Sequence, residues 1–143
     1  MEQKQQLIQT FDHVVGQAQA VELLVQAVIR ERIAPGYLFV GPAGIGRGLV
    51  AAAFAAMLLD SNDEAPDNLK RRIRARYHPD LLWVEPTYLH QGKLLTVAEA
   101  QEAGIKRRGR PQIRLEQIRD IARFLSRPPL EANQAVVVIE AAD

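Results

Sequence analysis

The stretch Gly41-Pro42-Ala43-Gly44-Ile45-Gly46-Arg47-Gly48 constrains the fold more than any other part of the chain. It lies between a short apolar run, Tyr37-Leu38-Phe39-Val40, and an Ala-rich apolar segment over residues 49–59. The run before it reads as a buried strand and the segment after it as a buried helix. Strand, glycine-rich loop and helix in that order present backbone N–H groups to an anion at a positive helix N-terminus. The spacing is that of the phosphate-binding pattern G-x-x-x-x-G-K-[ST]. Both outer glycines, Gly41 and Gly46, are in place, but Arg47 stands at the lysine position and Gly48 at the hydroxyl position.

Those two replacements decide what the loop can do. Arginine keeps the charge, but its planar fork is broader than the compact ammonium of lysine. Glycine offers no oxygen for Mg²⁺. Charge-assisted hydrogen bonds contribute about 1.5–3 kcal/mol each, so losing two weakens nucleotide affinity by about two to four decades. Hydrolysis suffers more, because the metal stabilises the transition state. Near the other end, a β-branched run over residues 135–139 reads as a strand tipped by Glu140, with Ala141 next. An alanine there cannot polarise water.

Composition sets the outer bounds. With 143 residues, 48% of them hydrophobic and 24% charged, the chain suits one globular domain with a substantial core. Its net charge of +1 gives no global pull toward nucleic acid or membrane. The absence of cysteine excludes disulfides. The apolar segment over residues 49–59 is too short to span a bilayer, and residues 1–9 are polar and lack a signal-peptide core. A cytoplasmic protein with no membrane partner is the expectation.

Other elements follow from periodicity. Val21, Leu24, Val25 and Val28 mark one helix face, broken by Pro35-Gly36. A short basic helix is expected within residues 69–77, and Leu81-Leu82-Trp83-Val84 reads as a strand with Trp83 in the core. Thr96-Val97-Ala98-Glu99 has the capping-box form, with Gly104 suited to stopping that helix. Leu115, Ile118, Ile121, Ala122 and Leu125 mark an amphipathic helix that ends at Arg127-Pro128-Pro129. Strands alternating with helices imply a parallel sheet with crossover connections.

Taken in order, these pieces resemble the AAA+ class, and within it the delta-prime clamp-loader subunits of bacterial DNA polymerase III. Phe11-Asp12-His13-Val14-Val15-Gly16-Gln17 resembles the segment that touches adenine in that class, which singles out Val14, Val15 and Gly16. His78-Pro79-Asp80-Leu81 and Glu85-Pro86 resemble the second strand, and residues 113–121 with Arg127-Pro128-Pro129 the helix and turn before the acid-tipped strand. The resemblance implies an α/β fold of P-loop NTPase/AAA+ type, a parallel sheet flanked by helices. It also implies a fourth strand between the loop strand and the acid-tipped one, which these residues do not supply. The expectation is therefore an incomplete sheet with exposed apolar edges. A helical lid and a helical collar are expected beyond residue 143.

The resemblance further implies a non-hydrolysing scaffold, or stator, that binds other clamp-loader subunits and works on the sliding clamp and primer-template DNA. No nucleotide is required, although residual ATP binding stays open. The relic nucleotide loop would comprise Gly41, Pro42, Gly44, Gly46, Arg47 and Gly48, and the relic acidic site Glu140 and Ala141. The arginine that such subunits donate to a neighbour's ATP site falls beyond Asp143. The four-cysteine zinc module of many relatives is excluded, since the chain has no cysteine. Two alternatives stand beside this reading. One is an active, atypical ATPase using Arg47 and Glu140. The other is a stand-alone DNA-binding module built on two basic clusters, with Arg71, Arg72, Arg74, Arg107 and Arg108 as candidate phosphate contacts. His13, His78 and His90 have no metal-ligand spacing and read as structural or surface residues.

Overall fold

A computed structural model describes residues 1–106 and 109–140. The elements in chain order are α1 (Glu2–Gln9), α2 (Ala18–Ile29), α3 (Arg47–Leu59), α4 (Pro66–Arg74), β1 (Leu81–Val84), β2 (Thr87–His90), β3 (Lys93–Thr96), α5 (Val97–Glu102), α6 (Leu115–Ser126) and β4 (Val136–Ile139). β1 pairs with β4. Val136 N donates to Asp80 O and Glu140 N to Val84 O, each at 2.8 Å. Residue numbers rise together on both strands, so the pair is parallel. The chain divides into two compact units, Met1–Leu81 with Pro129–Val136, and Leu82–Pro128 with Val137–Asp143.

The first unit is built on α3. Its Ala-rich sequence forms helix readily and lets neighbours approach on nearly every side. Val50, Ala53, Phe54 and Met57 join Phe11, Val21, Leu24 and Val25 in one apolar cluster, with Val14, Val28 and Phe39 packed against it. Tyr37 meets the Phe54 ring edge-on, with centroids 4.9 Å apart. α4 starts with Pro66 at its first turn beside Asp67, and ends with Arg71, Arg72 and Arg74. That is the order that suits a helix dipole. Leu69 and Ile73, one turn apart, are its buried side.

The strand expected at residues 37–40 does not form. Those residues belong to no ladder among the described residues. Leu38 and Val40 are 81% and 82% exposed, while Phe39 between them packs on the core. Inward and outward side chains alternate as in a strand, but among the described residues no ladder partner pairs with this run. Trp83 is half-buried, whereas Leu81 and Val84 of the same strand are buried.

In the second unit β2 and β3 form an antiparallel hairpin in the register Thr87↔Thr96, Tyr88↔Leu95, Leu89↔Leu94 and His90↔Lys93. Gln91 (φ +49) and Gly92 (φ +78) form its two-residue loop. Positive φ at both positions is the type I′ geometry that matches strand twist. The Thr96 cap is as expected. Thr96 Oγ1 accepts from Glu99 N at 3.2 Å, and Glu99 Oε2 accepts from Thr96 N at 2.7 Å. Thr87 and Gln112 exchange backbone hydrogen bonds of 2.9 and 3.0 Å, closing the base of the excursion. Gln117 of α6 braces that closure. Its Oε1 accepts from Thr87 Oγ1 and from Arg114 N, and its Nε2 donates to Glu85 O.

α6 has the predicted apolar positions but no buried residue, and Leu115, Ile118 and Leu125 are 64%, 46% and 54% exposed. No helix among the described residues is long and apolar enough to cross a membrane.

The bracing role of Gln117 yields a direct test. Gln117→Leu removes its hydrogen bonds to the Glu85 carbonyl, the Thr87 hydroxyl and the Arg114 N–H together. We expect a loss of about 2 kcal/mol in urea unfolding. Hydrogen exchange at the Thr87 and Gln112 amides should accelerate selectively.

Candidate functional site

The loop at residues 41–48 enters α3 through a glycine-rich backbone. Gly44 (φ +82) and Gly46 (φ +99) adopt left-handed conformations that side chains disfavour, and Gly46 is the N-cap of α3. At Gly41 an added Cβ would meet Ile45 Cγ2 at 3.1 Å. Ile45 N donates to Pro42 O at 3.4 Å, and Val50 N to Gly46 O at 3.0 Å. The N-cap Gly46 makes no side-chain cap bond, and the first N–H groups of α3 lie at the positive end of the helix dipole. Arg47, in the first turn, is exposed and makes no ion pair among the described residues. Gly48 brings no oxygen.

The remaining sequence-predicted site residues are distributed as follows. Val14 packs on the apolar cluster and its N–H closes a turn on Phe11 O, which leaves Val15 86% exposed and Gly16 at φ +78. Glu140 follows β4 directly and is fixed through its N–H to Val84 O. The loop belongs to the first unit and Glu140 to the second. Ala141, Arg107 and Arg108 lie outside the described residues.

Arg72 requires a correction as a DNA contact. Its Nη1 donates to Glu64 Oε2 and its Nη2 to Glu131 Oε2, both at 2.9 Å, with the side chain only 19% exposed. A guanidinium shared by two carboxylates is already neutralised within the fold. Arg71 is hydrogen-bonded to Asn68 Oδ1, and Arg74 is exposed.

Sequence reasoning missed the most organised polar cluster in the first unit. Asp80 is 2% exposed. Its Oδ1 accepts from Leu130 N at 2.6 Å, and its Oδ2 from Glu131 N at 2.8 Å and Ala132 N at 2.7 Å. Burial alone would raise the Asp80 pKa, but the three amides outweigh it and hold the carboxyl below its ordinary value. His78 is buried beside it, and its Nδ1 accepts from Asp80 N at 3.0 Å. Burial, with the Arg72 charge second, lowers the His78 pKa and keeps the ring neutral. The only sequence signal was the pair of polar residues around Pro79 just before an apolar strand. Among the described residues no group of histidine and acidic side chains could hold a metal ion.

With this geometry in view, the comparisons place the chain. Residues 16–143 match the family described as DNA polymerase III, delta subunit, and the chain belongs to that family. The class is α/β, with a small parallel sheet and flanking helices in an incomplete AAA+-like arrangement. Two relatives from Arabidopsis thaliana are similar over part of it. "Protein STICHEL" is 48% identical over 48 residues, which is 34% of this chain and 4% of the relative. "Putative chaperone protein ClpB2, chloroplastic" is 32% identical over 93 residues, 55% of this chain and 14% of the relative. The chain thus spans a small fraction of the curated relatives it matches. No solved structure matches it.

The Asp80 cluster predicts acid sensitivity. A carboxylate held below its ordinary value stabilises the fold above that value and loses the contribution as pH falls through the depressed one. A neutral buried histidine adds to this, because the unfolded chain gains protons first as pH drops below 6.5. Asp80→Asn should cost about 2–3 kcal/mol at neutral pH in urea unfolding. It should also flatten the acid limb of the stability–pH curve, leaving the shallower His78 contribution.

Proposed function

We propose that the chain is the N-terminal part of a non-hydrolysing stator subunit of the DNA polymerase III clamp loader, of the delta-prime kind. One observation carries the reading. The cradle keeps its left-handed glycines and open helix N-terminus, while Arg47 and Gly48 replace the residues that would hold the outer phosphates and the metal. Family membership supports a place among clamp-loader subunits in replication. In this reading the partners are the sister subunits, and through them the sliding clamp and primer-template DNA. The setting is the cytoplasm, and no nucleotide cofactor is required. Gly41, Pro42, Gly44, Gly46, Arg47 and Gly48 serve as architecture. In this reading Val14, Val15 and Gly16 are the adenine-side segment, and Glu140 and Ala141 hold the sequence positions of a relic acidic pair.

A calorimetric titration with Mg·ATP tests this. We expect no saturable binding tighter than about 1 mM, and no phosphate release above the buffer rate. The double substitution Arg47→Lys with Gly48→Thr should tighten binding by about two decades, because it restores both contacts on an unchanged backbone. Micromolar affinity with turnover in the unmodified chain would favour the active-ATPase reading and defeat this one.

A further inference from the structure

His78 is a buried titratable group that no part of the proposed function uses. Its side chain is 2% exposed. Its Nδ1 accepts from Asp80 N at 3.0 Å, so that nitrogen carries no proton and the neutral ring holds its proton on Nε2. Nε2 lies 3.8 Å from Glu131 Oε2, beyond hydrogen-bond length but close enough to pair once the ring is charged. That same oxygen already accepts from Arg72 Nη2 at 2.9 Å. The main chain of Glu131 is held as well, since its N–H donates to Asp80 Oδ2. The charged groups around the ring are Arg72 of α4, Glu64 before that helix, Glu131 of the turn into β4, and Asp80 on the ring's own segment. Three carboxylates and one guanidinium thus surround it, so the local charge favours a second cation while burial opposes one. All of these residues belong to the first unit.

We propose that His78 is a proton-operated latch on the turn that leads into β4. A proton arriving at Nδ1 turns the acceptor of the Asp80 N–H into a donor, and two donors repel at the 3.0 Å that separates them. The Asp80 amide then loses its partner in a buried place, where an unpaired N–H is costly. At the same time the charged ring competes with Arg72 for Glu131 Oε2. Asp80 holds the amides of Leu130, Glu131 and Ala132 through its carboxylate and that of Val136 through its carbonyl, so a shift of its backbone reaches all four. The latched form is the one with the neutral ring, because burial holds the His78 pKa below its ordinary value. By linkage the open form binds the proton more tightly, and acid favours opening. The Asp80 carboxyl sits below its own ordinary value and stays ionised while the ring titrates, so the two events separate. The latch uses none of the cradle residues. It therefore goes beyond the stator reading and does not depend on it.

The test is NMR of the whole chain from about pH 7.5 to about pH 4.5, with amide exchange corrected for the intrinsic rate. The neutral ring should show the Nε2–H tautomer, and its nitrogen shifts should follow one titration with a midpoint below 6.5. Over that titration the protection of the Asp80, Glu131, Ala132 and Val136 amides should fall about tenfold. The amides of Val25 and Phe54 in the apolar cluster should keep theirs. His78→Asn offers an acceptor near the Nδ1 position and takes up no proton, so its four amides should stay protected throughout. Glu131→Gln removes a carboxylate that favours the charged ring, so the His78 midpoint and the loss of protection should move to lower pH together. The proposal is overturned if the ring stays neutral over the whole range, or if it titrates while the four amides keep their protection. Equal loss at Val25 and Phe54 would make the event global unfolding and would also overturn it. So would the same pH-dependent loss in His78→Asn. If that variant does not fold, Glu131→Gln decides, and an unmoved loss of protection there sinks the latch. None of these outcomes bears on the Mg·ATP titration.

Discussion

The Asp80 carboxylate is the constraint on which the sheet depends. It is buried, and a buried charge is tolerated only when its oxygens are well supplied with donors. Three successive amides, from Leu130, Glu131 and Ala132, supply them. That fixes the chain reversal leading into β4. The same residue then offers its own carbonyl to Val136 N, which sets the register of β4 beside β1. Side chain and main chain of one residue thus fix both where the strand comes from and how it is paired. Arg72 reinforces the arrangement from α4 by holding Glu131 against Glu64. Slipping β4 by one residue would turn every side chain to the opposite face. Asp80 forbids that slip by holding the preceding turn.

The cradle illustrates how architecture and chemistry separate. α3 is buried on nearly every side and supplies half of the apolar cluster of the first unit. The helix is therefore required for the core whatever happens at its N-terminus. Its entry through Gly44 and Gly46 in left-handed conformations is set by the path of the chain into that helix, and Gly41 by the closeness of Ile45. None of these requirements involves a phosphate. Arg47 and Gly48, by contrast, are exposed and contribute little packing, so nothing in the fold dictates their identity. The glycine backbone of such a loop can consequently be kept whether or not a lysine and a hydroxyl follow it.

Much of the fold was legible because its signals are local. The apolar spacing of α2 and α6, the Ala-rich α3, the capping box of α5 and the β-branched run of β4 each announce themselves within a few residues. Three features were not legible. α1 is a polar helix with no buried residue, so it carries no periodic apolar signal. The β2–β3 hairpin turns on Gln91-Gly92, in which only the glycine is a usual turn residue. The Asp80 cluster joins residues 50 to 52 positions apart, and no spacing rule reaches that far. Residues 37–40 are the reverse case. The run was read as a buried strand, yet only Phe39 turns inward, Leu38 and Val40 are exposed, and no ladder forms among the described residues. At the candidate site the loop glycines were legible to the residue. The commitment of Arg72 was not, because its partners come from distant parts of the chain.

Two apolar surfaces remain open, each within its own unit. One is the outward side of residues 37–40, where Leu38 and Val40 stand beside unpaired backbone. The other is the face of α6 carrying Leu115, Ile118 and Leu125. Scattered exposed leucines need no explanation, but an apolar alternation on an unpaired segment and an apolar stripe on one helix are ordered features. The first has the form of a strand awaiting a ladder, because its side chains already alternate as a ladder requires. The second has the form of a helix awaiting a packing partner, because its apolar positions recur at one- and two-turn spacing. Burial against a further strand or helix would stabilise either face.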